Sequence, residues 1–202
     1  MKTNRIWLAS LLLLPLGAAA AFSQEKKAAP AAAPTDDPML AKMMEFGTPG
    51  PSHKVLDAKV GKWSAKVKMI SPDSPPTESA GTSEVKWIMD GRYLQDTYTG
   101  DFMGQPFHGM GTTGFDIMKK KYVGTWIDSM STAIAMSEGT YDAAKKTFTY
   151  SGESPDPMAG KYVKSRTVET WTDADHWTMQ YYSPGPDGKE LMSMEIQYSR
   201  AK

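Results

Sequence analysis

The chain reads as an all-β protein, an antiparallel up-and-down β-barrel of about ten strands with one or two short N-terminal helices. Three observations predict it. From Trp63 onward apolar and polar residues alternate with a period of two, compact turn sequences separate the runs, and no later stretch is helical enough to make a parallel crossover. About ten strands in a meander must close or sandwich to hide their edges, and an up-and-down barrel does so. The remaining 140 or so residues suit one such domain.

The first residues carry Lys2 and Arg5, then a mostly apolar run from Ile6 to Leu16, then the small residues Gly17 to Ala21. That order is the order of a secretory signal peptide, assigned to 1–23, with cleavage expected after Ala20, Ala21 or Ser23. The apolar run is shorter than the roughly 20 residues that cross a bilayer, so no membrane span is expected. Export to the periplasm or the extracellular space is the expected location. Residues 24–37 hold no large apolar side chain and two internal prolines, Pro30 and Pro34, and read as a disordered linker. The barrel domain with its helices is assigned to 38–202.

The chain has no cysteine, which excludes disulfides, thiolate metal sites, a cysteine nucleophile and a lipid on an N-terminal Cys. Of 23 basic and 23 acidic side chains, removal of the leader takes two basic ones, leaving a slight acidic excess. Nothing is basic enough to call for nucleic acid.

Each element has its own justification. Asp37 caps and Pro38 opens a short helix, with Met39, Leu40, Met43 and Met44 on its apolar side and Gly47 at its end. A second short helix is expected over Ser52–Val60, burying Val55, Leu56 and Val60. Strands are expected at 63–70, 79–89, 92–100, 106–116, 121–129, 133–141, 147–153, 161–171, 176–183 and 190–200. Turn chemistry separates them at 71–76, at Asp90-Gly91, at Asp173-Ala174-Asp175 and at 184–188. One pattern occurs twice, in 115–122 and 141–148: aromatic, Asp, two residues, two lysines, one residue, aromatic. In it an Asp accepts backbone N–H groups of its own turn and lysines keep the turn wet, so two nearby hairpins share one design.

Candidate sites stand against simpler readings. Gly109-x-Gly111-x-x-Gly114 matches the dinucleotide fingerprint, but that fingerprint needs a strand turning into a helix, and here another strand follows. The glycines fit sharp coiling, or close packing of a large neighbour such as Trp126. His53, His108 and His176 are far apart and lack ligand spacing. Fifteen methionines admit a Cu(I) reading, yet those in the strands (Met69, Met89, Met110, Met136, Met179, Met192 and Met194) are scattered as core filler or cavity lining would be. No metal or cofactor is expected.

Asp128 and Glu138 flank a polar break. If its turn holds three residues they share a face as diagonal neighbours about 7 to 8 Å apart, a separation used by inverting glycosidases. If it holds four they face opposite ways. Glu138, Glu169 and Arg166 are candidates for a buried polar network, since a buried charge needs a partner. A small cavity walled by Trp87, Tyr93, Trp126, Trp177 and Tyr181 around Asp128, Glu138 and Arg166 would make a ligand pocket, and a filled barrel is the alternative.

Two sets of residues carry a resemblance. Gly61-Lys62-Trp63, after a short helix and opening the first strand, is similar to the opening motif of lipocalins and their calycin relatives, in which the Trp closes the barrel bottom. Gly91-Arg92-Tyr93-Leu94, Gly104-Gln105-Pro106-Phe107, Gly114-Phe115-Asp116, the run Tyr122 to Ser131, Glu138-Gly139-Thr140-Tyr141-Asp142 and Pro186-Asp187-Gly188-Lys189-Glu190 resemble the bacterial family catalogued as domain of unknown function 1579. The likeness covers about residues 40 to 200. It implies a lipocalin-like barrel and carries no established activity, so no catalytic residue follows from it. Related ten-stranded bacterial barrels bind haem, and no histidine here stands in a clear axial frame.

The functional expectation is an exported, non-enzymatic barrel that binds a small, partly apolar molecule. The alternatives are a hydrolase-type enzyme using Asp128 and Glu138, and a structural or protein-interaction module with the helix at 38–46 as docking element.

Overall fold

The computed structural model describes residues 37–202. The expected leader at 1–23 and all of the linker but Asp37 lie outside the described residues. Helix α1 (Pro38–Gly47) starts where Asp37 Oδ1 accepts the backbone N–H groups of Met39 and Leu40 at 2.8 and 3.3 Å. None of its residues is buried. The second expected helix is split into α2 (Pro51–Lys54) and a 3-10 stretch, Val55–Lys59. No helix among the described residues is long and apolar enough to cross a membrane.

Ten strands follow: β1 (Gly61–Ser71), β2 (Ser74–Ile88), β3 (Tyr93–Phe102), β4 (Gln105–Asp116), β5 (Lys121–Asp128), β6 (Ala135–Asp142), β7 (Thr147–Asp156), β8 (Lys161–Trp171), β9 (His176–Pro184) and β10 (Glu190–Arg200). Each pairs antiparallel with its sequence neighbours, and β1 pairs with β10, from Trp63 opposite Arg200 to Met69 opposite Met194, closing the barrel. The ten expected strands are the ten observed. Two run longer than their turn residues predict: Pro75 and Pro76 lie inside β2 and Pro155 inside β7, all near the rim, where the sheet tolerates a missing N–H donor.

The repeated hairpin pattern is built as expected. Asp116 Oδ1 accepts from Met118 and Lys119 N–H, both at 2.9 Å, and Asp142 Oδ1 accepts from Ala144 and Lys145 at 3.0 and 3.1 Å. The flanking rings meet, Phe115 with Tyr122 at 5.0 Å and Tyr141 with Phe148 at 4.5 Å. The β7–β8 hairpin repeats the Asp device at the opposite end, where Asp156 accepts from Met158 and Ala159.

The helical segment after Gly50 plugs one end. Leu56 and Trp63 are fully buried there, and Trp63 Nε1 donates to the Lys59 carbonyl at 2.8 Å, so this Trp does close the barrel bottom. Arg200 lies over the Trp63 ring at 4.2 Å and donates to the carbonyls of Val60 and Ala174 and to Asp175, tying the last strand to the plug. Tyr122 donates to the Ser52 carbonyl at 2.9 Å. The aromatic floor continues through Trp171 stacked on Trp177 and Trp177 stacked on Tyr198, at 5.2 and 3.9 Å.

The methionines do not behave as one class. Met69, Met179 and Met194 pack against the core and line the cavity, and Met136, though exposed, also borders it, whereas Met89 and Met110 are exposed on the surface, which corrects the reading as filler or lining for these two.

Candidate functional site

Above the plug the barrel holds a cavity of about 1000 Å³, open among the hairpins of the other end. Strand alternation fixes its wall. Val67 and Met69 of β1, Val85 of β2, Leu94, Asp96 and Tyr98 of β3, Phe107 of β4, Trp126 and Asp128 of β5, Tyr150 of β7, Thr167 and Glu169 of β8, Trp177, Met179 and Tyr181 of β9, and Met194, Ile196 and Tyr198 of β10 all line it. The wall is mostly apolar and aromatic, with one polar group of residues toward the plug and another at the mouth, the usual make-up of a small-molecule site.

Of the eight residues expected in the pocket, Trp126, Asp128, Trp177 and Tyr181 line it. Asp128 sits at the mouth, its Oδ2 accepting from Trp126 Nε1 at 3.1 Å and its Oδ1 from Met130 N–H at 2.9 Å. Tyr181 bonds Ser154 hydroxyl to hydroxyl at 2.5 Å. Trp87 shares the inward face with Leu94, across the β2–β3 ladder, but lies away from the cavity, where its Nε1 donates to Asp57 at 2.8 Å.

The other three stand outside, which corrects the expectation. Tyr93 is one residue out of phase with inward Leu94 and lies half-exposed, its ring over Gly114. Glu138 lies opposite Val123, while inward Trp126 lies opposite Ala135, so Asp128 and Glu138 are on opposite faces. The break between β5 and β6 is six residues long, 129–134, and neither of the shorter turns considered applies. The two carboxylates therefore form no catalytic pair. On the outer face Glu138 binds the ammonium groups of Lys119 and Lys121, which hold its carboxyl below the usual range. Arg166 is also outward, bidentate to Glu190 at 2.9 and 2.6 Å, with its guanidinium 3.9 Å from the centre of the Tyr182 ring.

Of the three expected members of a buried network only Glu169 is buried, and its partner is one the sequence reading missed. Lys59, at the end of the plug, points up into the cavity with Nζ 2.6 Å from Glu169 Oε2. Its other sides face the rings of Phe148, Tyr150 and Trp177 at 5.3, 5.6 and 6.0 Å. Asp96 completes the cluster, its Oδ1 accepting from Ser83 Oγ at 2.5 Å. Burial pushes the Asp96 carboxyl up from its ordinary value and Glu169 adds to this, while the Ser83 hydrogen bond and Lys59 oppose it. Burial also raises the phenols of Tyr98, Tyr150 and Tyr198, keeping them neutral O–H groups. The signal for Asp96 was in the chain, because Leu94-x-Asp96-x-Tyr98 puts it in phase with two apolar inward neighbours. Lys59 carried no such signal.

The glycines act as read. A Cβ on Gly109 would run into the Trp126 ring, and one on Gly111 would stand 3.1 Å from it, so both let the indole lie flat against β4. The histidines point away from the cavity's chemistry: His53 is buried in the plug and accepts from Gly50 N–H at 3.0 Å, His108 lies on the outward phase of β4, and His176 pairs with Asp173.

No curated protein matches the chain. Among solved structures the chain is similar to Rv2717c from M. tuberculosis, at 12% identity and a TM-score of 0.58, over 77% of this chain and 100% of that one. It is also similar to the S-type phycobiliprotein lyase CPES from Guillardia theta, at 11% identity and a TM-score of 0.52, over 79% and 97% of the two chains. At such identities the likeness is one of fold. The family described as "Protein of unknown function (DUF1579)" matches over residues 48–200, which spans every strand of the barrel and the plug beneath it, and the chain belongs to that family.

Proposed function

We propose that this barrel binds a small, partly apolar molecule inside its cavity and performs no chemistry on it. The observation that carries the reading is the cavity itself: about 1000 Å³, closed at one end by the plug, open at the other, with an apolar aromatic wall over a small polar floor. A barrel built only as a scaffold fills its interior with side chains. The enzyme reading loses its carboxylate pair, because Glu138 lies outside the wall while Asp128 lines the cavity.

Native mass spectrometry of the protein purified from its own host tests this. The expected result is a retained small molecule, lost when Thr167→Trp fills the cavity. Absence of added mass, together with Trp emission unmoved by n-decanol, would refute the reading.

We propose also that the protein works after export. The support lies in the Lys2 and Arg5 start, the apolar run and the small residues that follow. N-terminal sequencing of the protein from its host should begin after Ala20, Ala21 or Ser23, and an intact Met1 would overturn it.

A further inference from the structure

We infer that the ligand of this cavity carries a protonated amine on an apolar body, and that the ammonium group seats against Asp96 at the cavity floor. The inference rests on the binding reading above and names the class of molecule it takes.

The floor holds one cation and two carboxylates. Lys59 is already engaged, with Glu169 2.6 Å from its Nζ and aromatic rings on its other sides. An incoming anion would have to displace Glu169 and then face Asp96. Asp96 is different. Among the described residues its only side-chain hydrogen bond comes from Ser83 Oγ, and the carboxylate lines the cavity with further acceptor capacity. With Lys59 and Glu169 cancelling, the charge left over at the floor is negative, and a cation restores neutrality there.

A second, independent observation points the same way. Tyr150 is among the residues lining this cavity, and its hydroxyl is buried with no hydrogen-bond partner among the described residues. A buried hydroxyl without a partner costs free energy, so it marks the place where a ligand group belongs. An ammonium group has three donors; Asp96 offers acceptors for them, and Tyr150, with its unpartnered hydroxyl, belongs to the wall of the same cavity. The rings of Tyr98 and Tyr198 line the same cavity, so aromatic groups, which attract cations, stand around the seat. At the mouth the lining charges are Asp101, Asp128, Glu153 and Asp156 against Lys161, so the way in also favours a cation.

The test uses three probes with one tail: n-decylamine, n-decanol and n-decanoate, titrated into the purified protein at neutral pH with Trp emission and calorimetry as readouts. The amine should bind at least about tenfold tighter than the alcohol, the effect expected of a charged hydrogen bond in a dry site, and decanoate should bind more weakly than the alcohol. Asp96→Asn should bring the amine down to the alcohol's affinity and leave the alcohol unchanged. Tyr150→Phe should weaken the amine alone, and serves as a second variant should Asp96→Asn fold poorly. Decanoate binding as tightly as the amine, or an amine preference that survives Asp96→Asn, would overturn the inference. Equal binding of all three, abolished by Thr167→Trp, would overturn it while leaving the binding function standing. Failure of all three probes, with no retained mass from the host, would overturn both.

Discussion

Lys59→Met removes the one cation at the floor of the cavity. The Lys59 and Glu169 side chains are 9% and 10% exposed, with Nζ and Oε2 2.6 Å apart. Deleting one partner of such a pair leaves the other charge buried without compensation, which costs about 3–5 kcal/mol. For a domain of this size each kcal/mol moves the melting temperature by about 2–4 °C, so a fall of about 6–20 °C is expected. The double variant Lys59→Met, Glu169→Leu exchanges the pair for apolar groups of similar volume and should recover most of the loss. Denaturant unfolding of the four proteins of this cycle, followed by Trp emission, gives the coupling directly. A loss below about 1 kcal/mol for Lys59→Met, or strictly additive single effects, would refute the claim that the pair behaves as a desolvated one.

Three further outcomes are expected. Asp96→Asn should raise the melting temperature at neutral pH. The folded-state value of Asp96 lies above its ordinary 3.8, so the folded protein holds that proton more tightly than the unfolded chain does. Stability therefore falls as pH rises between the two values, the full cost is present above the folded one, and the advantage of the Asn variant should shrink as pH is lowered toward 3.8. A constant advantage at every pH would contradict this. Gly109→Val should drive a side chain into the Trp126 ring, cost about 1–3 kcal/mol and shift indole emission, and an unchanged spectrum would count against the packing described. Glu138→Gln should leave ligand binding intact and alter a thermal melt too little to resolve, since its lysine partners are on the wet outer face. A loss of binding on that substitution would place Glu138 in the site after all.

The strands were legible because one wet face and one packed face force a two-residue period, and turn residues interrupt it cleanly. The plug was legible less fully: its position and its buried Leu56 were readable, its conversion to 3-10 geometry after Lys54 was not. Errors in the site came from phase. In β8, Arg166 and Glu169 are three apart, so they cannot both face inward, and parity alone separates them. Trp177 and Tyr181 are four apart and both line the cavity. Glu138 could not be resolved that way, because its phase relative to Asp128 depends on a connecting loop whose length no local pattern fixes. Lys59 was invisible for a different reason: a lysine at the end of a short helix ordinarily faces water, and only closure of the ring over it makes it internal.

The pairing of β1 with β10 has a consequence for how the molecule comes into being. Trp63 finds Arg200 only after the chain between them has left the ribosome, so the seam that completes the cylinder waits until β10 has been made. Contacts so distant in sequence make for slow acquisition of structure. A polypeptide built this way stays open and threadable for an interval after it is made, and a change that weakens this seam, such as Arg200→Ala, should lengthen that interval more than it disturbs the finished product's shape.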